Sequence, residues 1–275
     1  METVSAANDI YSYAISSKYQ FTYYIRSKRF IGLLILTIVI TAALIMLDLH
    51  YKYTTLKTEN SAIFFNGFLS SDLITFFAVI AAFFGGDLVS MDLGTNTAYY
   101  TLVQPIRRSV LYIGRYTSAF LASAVMVLIV YIGGMAMSLY LYGNITDITG
   151  ISFALALLYM LALLSFSSLF SAIFRTPTIG LVMSIIFLII IYPAIQGILS
   201  GLAGVNPWMF VTYAGQILYL VFEKKYTTYA VTHVGRISFY TFNPTLLESI
   251  YIMLGYIVIF LLISAAVFTY KEIKG

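Results

Sequence analysis

The chain has 275 residues, of which 61% are hydrophobic and only 9% charged. A soluble domain is nearer a quarter charged, so this composition excludes an ordinary globular protein and predicts an integral membrane one. The mild excess of 15 basic over 11 acidic side chains comes without a basic stripe or RNA-binding signature, which argues against a nucleic-acid partner, and the lack of cysteine excludes disulfides, thiolate metal sites and cysteine nucleophiles.

Residues 1–29 do not read as a signal peptide, because polar and aromatic side chains run to Arg29 and no small-residue cleavage site follows a short apolar core. Within Ile10–Arg29, Tyr11, Ile15, Tyr19 and Tyr23 recur at four-residue spacing, which predicts an amphipathic helix with one aromatic face. Such a helix lies in the headgroup region, with Arg26, Lys28 and Arg29 at the lipid phosphates.

Residues 30–275 read as a single membrane domain. A bilayer core of about 30 Å needs roughly 20 helical residues. Six runs meet that test: Phe30–Leu47, Leu69–Val89, Tyr116–Tyr142, Ile151–Phe174, Ile179–Leu199 and Ser249–Tyr270. The second has Asp72 and Asp87 near its ends, and the third is long enough to tilt or protrude. Gly85-Gly86 and Gly133-Gly134 fall within apolar runs, where close helix packing or a bend is their expected use. Between spans two and three, Met91–Arg115 forms a polar break that reads as a turn. Asn144-Ile145-Thr146 follows the third span and matches a glycosylation acceptor at Asn144. Phe174-Arg175-Thr176-Pro177 is a short turn. Residues 200–248 then separate spans five and six. In that segment Asn206–Phe222 is apolar enough for a seventh span, but Pro207 opens it and Gly215-Gln216 interrupts it, which favours short re-entrant or interfacial helices. Asn243-Pro244-Thr245 with Glu248 marks the start of the last helix.

Lysine and arginine placement sets the orientation. With six spans and the amino terminus inside, the inner segments carry ten (Lys18, Arg26, Lys28, Arg29, Arg107, Arg108, Arg115, Arg175, Lys271 and Lys274) and the outer segments five. Both termini and the 91–115 turn are then cytosolic. A seventh span gives eleven against four, so charge alone leaves the carboxyl half open, but the turn stays inside either way.

No span has an ionisable residue in its middle, which speaks against an ion-coupled pump. His50 and His233 stand singly in outer connections, and no G-x-x-x-x-G-K-[ST] phosphate loop is present. The expectation is a chain without a catalytic, cofactor or metal site.

In the polar break, Asp92, Thr97, Pro105, Ile106, Arg108, Gly114 and Arg115 form an ordered pattern. It resembles the permease subunits of type-2 ATP-binding-cassette (ABC) exporters, in which the pattern is roughly E-x4-T-x7-P-[VI]-x-R-x5-G-[KR]. Asn96 stands where the family commonly has glycine, and Ala98–Val103 is more aromatic than the usual leucine-rich run. The resemblance implies an all-α, six-span permease in the plasma membrane, paired with a second permease subunit as a homodimer or heterodimer. It also implies separate ABC-type ATPase subunits, which would hold ATP and magnesium. The coupling residues would be Asp92, Thr97, Tyr99, Tyr100, Leu102, Val103, Pro105, Arg107, Arg108, Gly114 and Arg115. Thr97 would cap a short helix that Pro105 ends, with Tyr99, Tyr100, Leu102 and Val103 as its docking surface and an Asp92–Arg108 pair as its brace. The residue 10–29 helix would pack against the ATPase, and an amphipathic, lipid, peptide or drug-like substrate would suit an aromatic, Ser, Thr and Met cavity. Two rival readings remain: an ion-coupled secondary transporter, and a non-transporting scaffold or sensor that docks an ATPase through the same turn.

Overall fold

The computed structural model describes residues 6–56, 60–70, 73–90, 107–174, 176–223, 225–234 and 237–270. Five of its helices are long and apolar enough to cross a membrane, and a bent helix pair makes up to six. Helix α1 (Ala6–Arg26) is followed by α2 (Lys28–Leu56), α3 (Ser61–Ser70) and α4 (Leu73–Gly85). Then come α5 (Arg108–Tyr142), α6 (Ile148–Ile173) and α7 (Pro177–Leu202), two short helices α8 (Val211–Gly215) and α9 (Ile217–Leu220), and the last span α10 (Leu246–Tyr270).

Several helix ends have a local cause. The Ser27 hydroxyl donates to the Tyr24 carbonyl at 2.7 Å and accepts the Phe30 amide at 3.1 Å, so it ends α1 and caps α2. The Asn60 side chain accepts the Ile63 amide at 3.0 Å and opens α3. Pro177 sits in the first turn of α7, where its missing N–H costs nothing. At the far end of α5, Gly143 takes a left-handed φ of 67° and returns its amide to the Leu139 carbonyl. Around Pro193 the turns of α7 widen into π geometry, which accommodates the lost donor.

The second span departs from the expected single helix over Leu69–Val89. It is a pair, α3 and α4, meeting at 52° and beginning at Ser61. The break falls at the polar triplet Ser70-Ser71-Asp72. Phe64, Phe65 and Phe68 turn one face of α3 into the core, while Ile63 on the other is exposed. Helix α5 starts at Arg108 rather than Tyr116, so Arg108, Gly114 and Arg115 lie on a helix and not in a turn. At 1.5 Å per residue its 35 residues reach ~52 Å, well beyond the hydrocarbon core.

Asn206–Phe222 does not form a seventh span. Helices α8 and α9 have five and four residues, and both fold back onto the bundle. The Ser152 hydroxyl donates to the Leu218 carbonyl at 2.7 Å, Asn66 donates to the Tyr219 carbonyl at 3.0 Å, and Phe222 stacks on Phe65 at 5.3 Å. The connection also holds a two-stranded antiparallel hairpin that the sequence reading missed, β1 (Tyr229–Val234) with β2 (Ile237–Phe242), in register from Tyr229 opposite Phe242. It rests against the end of α7, where Gly204 at φ 65° meets the Tyr240 ring.

The centre is α6, which packs along α10, α4, α7 and α5. Tyr112 bonds Ser168 (2.9 Å), Tyr116 bonds Ser165 (2.8 Å) and Tyr131 bonds Ser152 (2.7 Å). Such interhelical bonds are worth about 0.6 kcal/mol each in membranes. Both glycine pairs serve close packing, as their sequence context implied. A Cβ on Gly133 would meet Thr41 Cγ2 at 2.5 Å, and one on Gly134 would meet Phe65 at 2.9 Å. At Gly86 the obstacles are backbone: the Ala82 carbonyl oxygen at 2.5 Å and Leu181 Cα at 2.7 Å.

Gly86→Ala is therefore expected to lower stability by about 1–3 kcal/mol, because backbone cannot move aside as a flexible side chain can. Gly32→Ala, where nothing lies within 4 Å of the added Cβ, is expected to cost nothing. Thermal unfolding of both variants in detergent checks the contrast.

Candidate functional site

The 91–106 stretch lies outside the described residues, and with it Asp92, Thr97, Tyr99, Tyr100, Leu102, Val103 and Pro105. Its two flanks are described, and each is fastened to several helices.

On the upstream flank, residues 86–90 turn at the end of α4. Asp87, two residues past that end, accepts an Arg29 Nη1 hydrogen bond at 2.9 Å in an ion pair, with Asp87 5% and Arg29 57% exposed. Arg29 was expected at the lipid phosphates with Arg26 and Lys28; it instead ties the start of α2 to the end of α4. The reason is that a buried carboxylate must find a partner or lose its charge. Burial pushes the Asp87 carboxyl up to about 7, with the Arg29 charge and hydrogen bond opposing it. Tyr24 of α1 is buried beside the pair, and burial followed by the Asp87 charge raises its hydroxyl far above the ordinary tyrosine range. A cavity of about 20 Å³ lies between Tyr24, Ser27, Arg29, Phe84 and Asp87.

The same flank is tied to α6 and α7. Ser171 Oγ accepts the Val89 amide at 2.8 Å and the Ser90 amide at 3.0 Å, and donates to Ser90 Oγ at 3.2 Å. Gly180, near the start of α7, packs directly on the Gly86 carbonyl. Only residues without a Cβ allow that approach.

On the downstream flank, Arg107 precedes α5 in extended conformation and its carbonyl accepts the Leu111 amide at 3.1 Å. Arg108 Nη1 donates to the Thr269 carbonyl at 3.1 Å in the last turn of α10, where a cation suits the free carbonyls of a helix end. Asp92, the expected partner in the brace, is outside the described residues. One turn and a half further on, α1 crosses α5. A Cβ on Gly114 would meet Ser16 Oγ at 3.1 Å, and the Ser118 hydroxyl donates to the Ser17 carbonyl at 2.8 Å. Arg115 is 4% exposed, and its charge acts on Tyr24.

Helix α1 thus seats its serines on α5 and Tyr24 on Phe84 of α4, while Tyr11, Ile15, Tyr19 and Tyr23 remain exposed. With Lys18, Thr22 and Arg26 they line an open depression of about 760 Å³. The four-residue aromatic spacing was legible in the sequence; the serine face opposite it was not.

The starts of α2 and α5 and the ends of α4 and α10 therefore meet at one end of the bundle. Asn144 is exposed in the loop between α5 and α6 at the other end, and its carbonyl accepts the Ser138 hydroxyl at 2.9 Å. Among the described residues, no three His, Cys, Asp or Glu side chains converge as metal ligands would.

Sequence reasoning missed Asp87, Arg29, Ser171, Ser16, Ser17 and Thr269. A signal existed for the first two, since opposite charges end adjacent spans on the side assigned to the cytosol. The serines gave none.

Relative to Asp87→Asn, the native chain is expected to become more stable as pH falls from about 8 to about 5. The folded carboxyl keeps a proton up to about 7, against an ordinary 3.8, so in this window the fold binds more protons than the unfolded chain. The contribution is complete below the ordinary value and lost as pH rises through 7. Thermal midpoints of both proteins across this range test the sign, and parallel pH profiles would refute it.

A family model described as ABC-2 family transporter protein matches residues 14–273. No curated protein matches the chain.

Proposed function

The chain belongs to the ABC-2 transporter family, as a multi-pass membrane protein with a transport permease role, and from that premise we propose that it is the membrane half of an ATP-driven exporter. In this reading two permease subunits, identical or homologous, face each other in the plasma membrane. Separate ABC-type ATPase subunits hold ATP and magnesium beneath them. Both termini, the 91–115 region and α1 are cytosolic.

The observation that carries the reading is the double anchoring of the 91–106 stretch. Upstream, residues 86–90 are tied to α2 through Arg29, to α6 through Ser171 and to α7 through Gly180. Downstream, Arg108 is tied to α10 through Thr269, and the Gly114–Ser118 face of α5 to α1. A push on the stretch from below therefore reaches every long helix of the bundle through short, specific contacts. A packed core passes on such a displacement because it resists local deformation.

The exposed α1 stripe of Tyr11, Ile15, Tyr19 and Tyr23 supplies an adjoining surface for the ATPase, with Lys18 and Arg26 for acidic side chains on that partner. ATP binding closes the ATPases, the stretch and α1 move together, and the path between the permeases opens outward. Asp92, Thr97, Tyr99, Tyr100, Leu102, Val103 and Pro105 make the contact, and Arg107, Arg108, Gly114 and Arg115 hold its base.

Charge reversal tests the base. Arg108→Glu puts a negative charge beside the carbonyl end of α10, so the chain is expected to insert and assemble while transport-linked ATP hydrolysis falls about tenfold. The measurement is substrate-stimulated ATPase activity of permease and ATPase reconstituted together in vesicles. Unchanged stimulation with Arg108→Glu would sink the role given to this residue.

A further inference from the structure

The opposite end of α10 carries a feature unrelated to the anchored stretch. An apolar groove of about 690 Å³ runs along the first turns of α10, walled by the loop before α8. That volume falls among small-ligand sites, roughly 300–1,000 Å³. Its walls include Trp208, Met209, Tyr251, Tyr256 and Gly255, with Glu248 as the one acidic side chain and no basic one.

Two sets of bonds fix its shape. The Tyr256 hydroxyl donates to the Met209 carbonyl at 2.8 Å, which holds the loop wall to the helix. Glu248 Oε2 accepts the Thr245 amide and Thr245 Oγ1 accepts the Glu248 amide, both at 3.3 Å, a reciprocal cap on the start of α10. Glu248 Oε1 accepts Asn206 Nδ2 at 3.3 Å. The carboxylate is thereby held in place, and each oxygen still has a lone pair to offer. Trp208 and Tyr251 beside it are 59% and 71% exposed. Aromatic faces attract cations, and a carboxylate repels anions. Gly255 has nothing within 4 Å of where a Cβ would stand, so it leaves space in the wall.

We infer that this groove binds a lipophilic organic cation, its apolar body along α10 and its positive charge between Glu248 and the Trp208 and Tyr251 rings. A neutral acyl chain would gain the walls but leave the carboxylate unused. The charge complementarity selects the cation. Binding needs no ATPase, so the chain alone tests it and the result is separable from the coupling scheme above.

Trp208 is the only tryptophan in the chain, so fluorescence excited at the long-wavelength edge, where the 24 tyrosines do not absorb, reports on this groove. Purified full-length protein in uncharged detergent is titrated with tetraphenylphosphonium and, for comparison, with tetraphenylborate of the same shape and opposite charge. Saturable quenching by the cation is expected. Glu248→Gln, which keeps the cap, is expected to weaken it about tenfold and, with the repelling carboxylate gone, to leave the anion bound no more weakly than before. Gly255→Leu, which fills the groove without a clash, is expected to abolish it. An equal cation affinity in Glu248→Gln, or no saturable signal in the native chain because a lipid or a second copy covers the groove, overturns the inference.

Discussion

A bilayer offers no partner to a peptide group and none to a charge, and this chain is shaped by both parts of that constraint. Peptide groups are satisfied within helices. Several polar side chains enter the bundle as short Tyr–Ser and Ser–Ser pairs, such as Tyr112 with Ser168 and Ser61 with Ser138, both buried. A buried charge must still be neutralised: Asp87, almost without solvent, meets Arg29. Because that pair can form only where α2 begins and α4 ends, it fixes the relative height of those helices. The amides of Val89 and Ser90 then fall within reach of Ser171, and the backbone of Gly86 within reach of Gly180.

The spans were legible because a charge-free run of twenty residues has few alternatives. Their ends were not, because a long basic side chain rides on a helix as readily as it follows one. Lys28 and Arg108 were read as flanks and lie in the first turns of α2 and α5. The hairpin carried its signal in the alternation of Tyr229–Val234 and Ile237–Phe242, inside a segment whose apolar residues were credited to membrane helices instead. The re-entrant reading of Asn206–Phe222 rested on Pro207 and Gly215-Gln216, and the structure bears it out through bonds from Ser152 and Asn66 that no local pattern could indicate. Arg29 and Asp87 are 58 positions apart, and their meeting depends on which helices are neighbours. Within the candidate coupling region, the sequence pointed to the stretch, and the structure describes what holds its two sides.

That division matters for how energy would enter. In the proposed mechanism the ATPase contact needs to be mobile relative to solvent yet stiff relative to the bundle. Stiffness at the flanks comes from contacts between backbone and small side chains, which have little rotamer freedom to absorb a displacement. Gly86 against Gly180, Gly114 against Ser16 and Ser118 against the Ser17 carbonyl are all of this kind. Lysine or glutamate contacts of the same number would yield first, since their side chains have several torsions and considerable entropy to recover. The use of serine and glycine here is thus a mechanical choice as well as a packing one.

The two ends of α10 show the same economy applied to different purposes. At its carboxyl end the Thr269 carbonyl accepts Arg108, so that end moves with the start of α5. At its amino end the Thr245–Glu248 cap leaves the carboxylate facing an open apolar groove whose Trp208 and Tyr251 walls are exposed. Between them α10 lies along α6 on one side and leaves Val258, Ile259 and Leu262 exposed on the other, as a lipid- or partner-facing surface does.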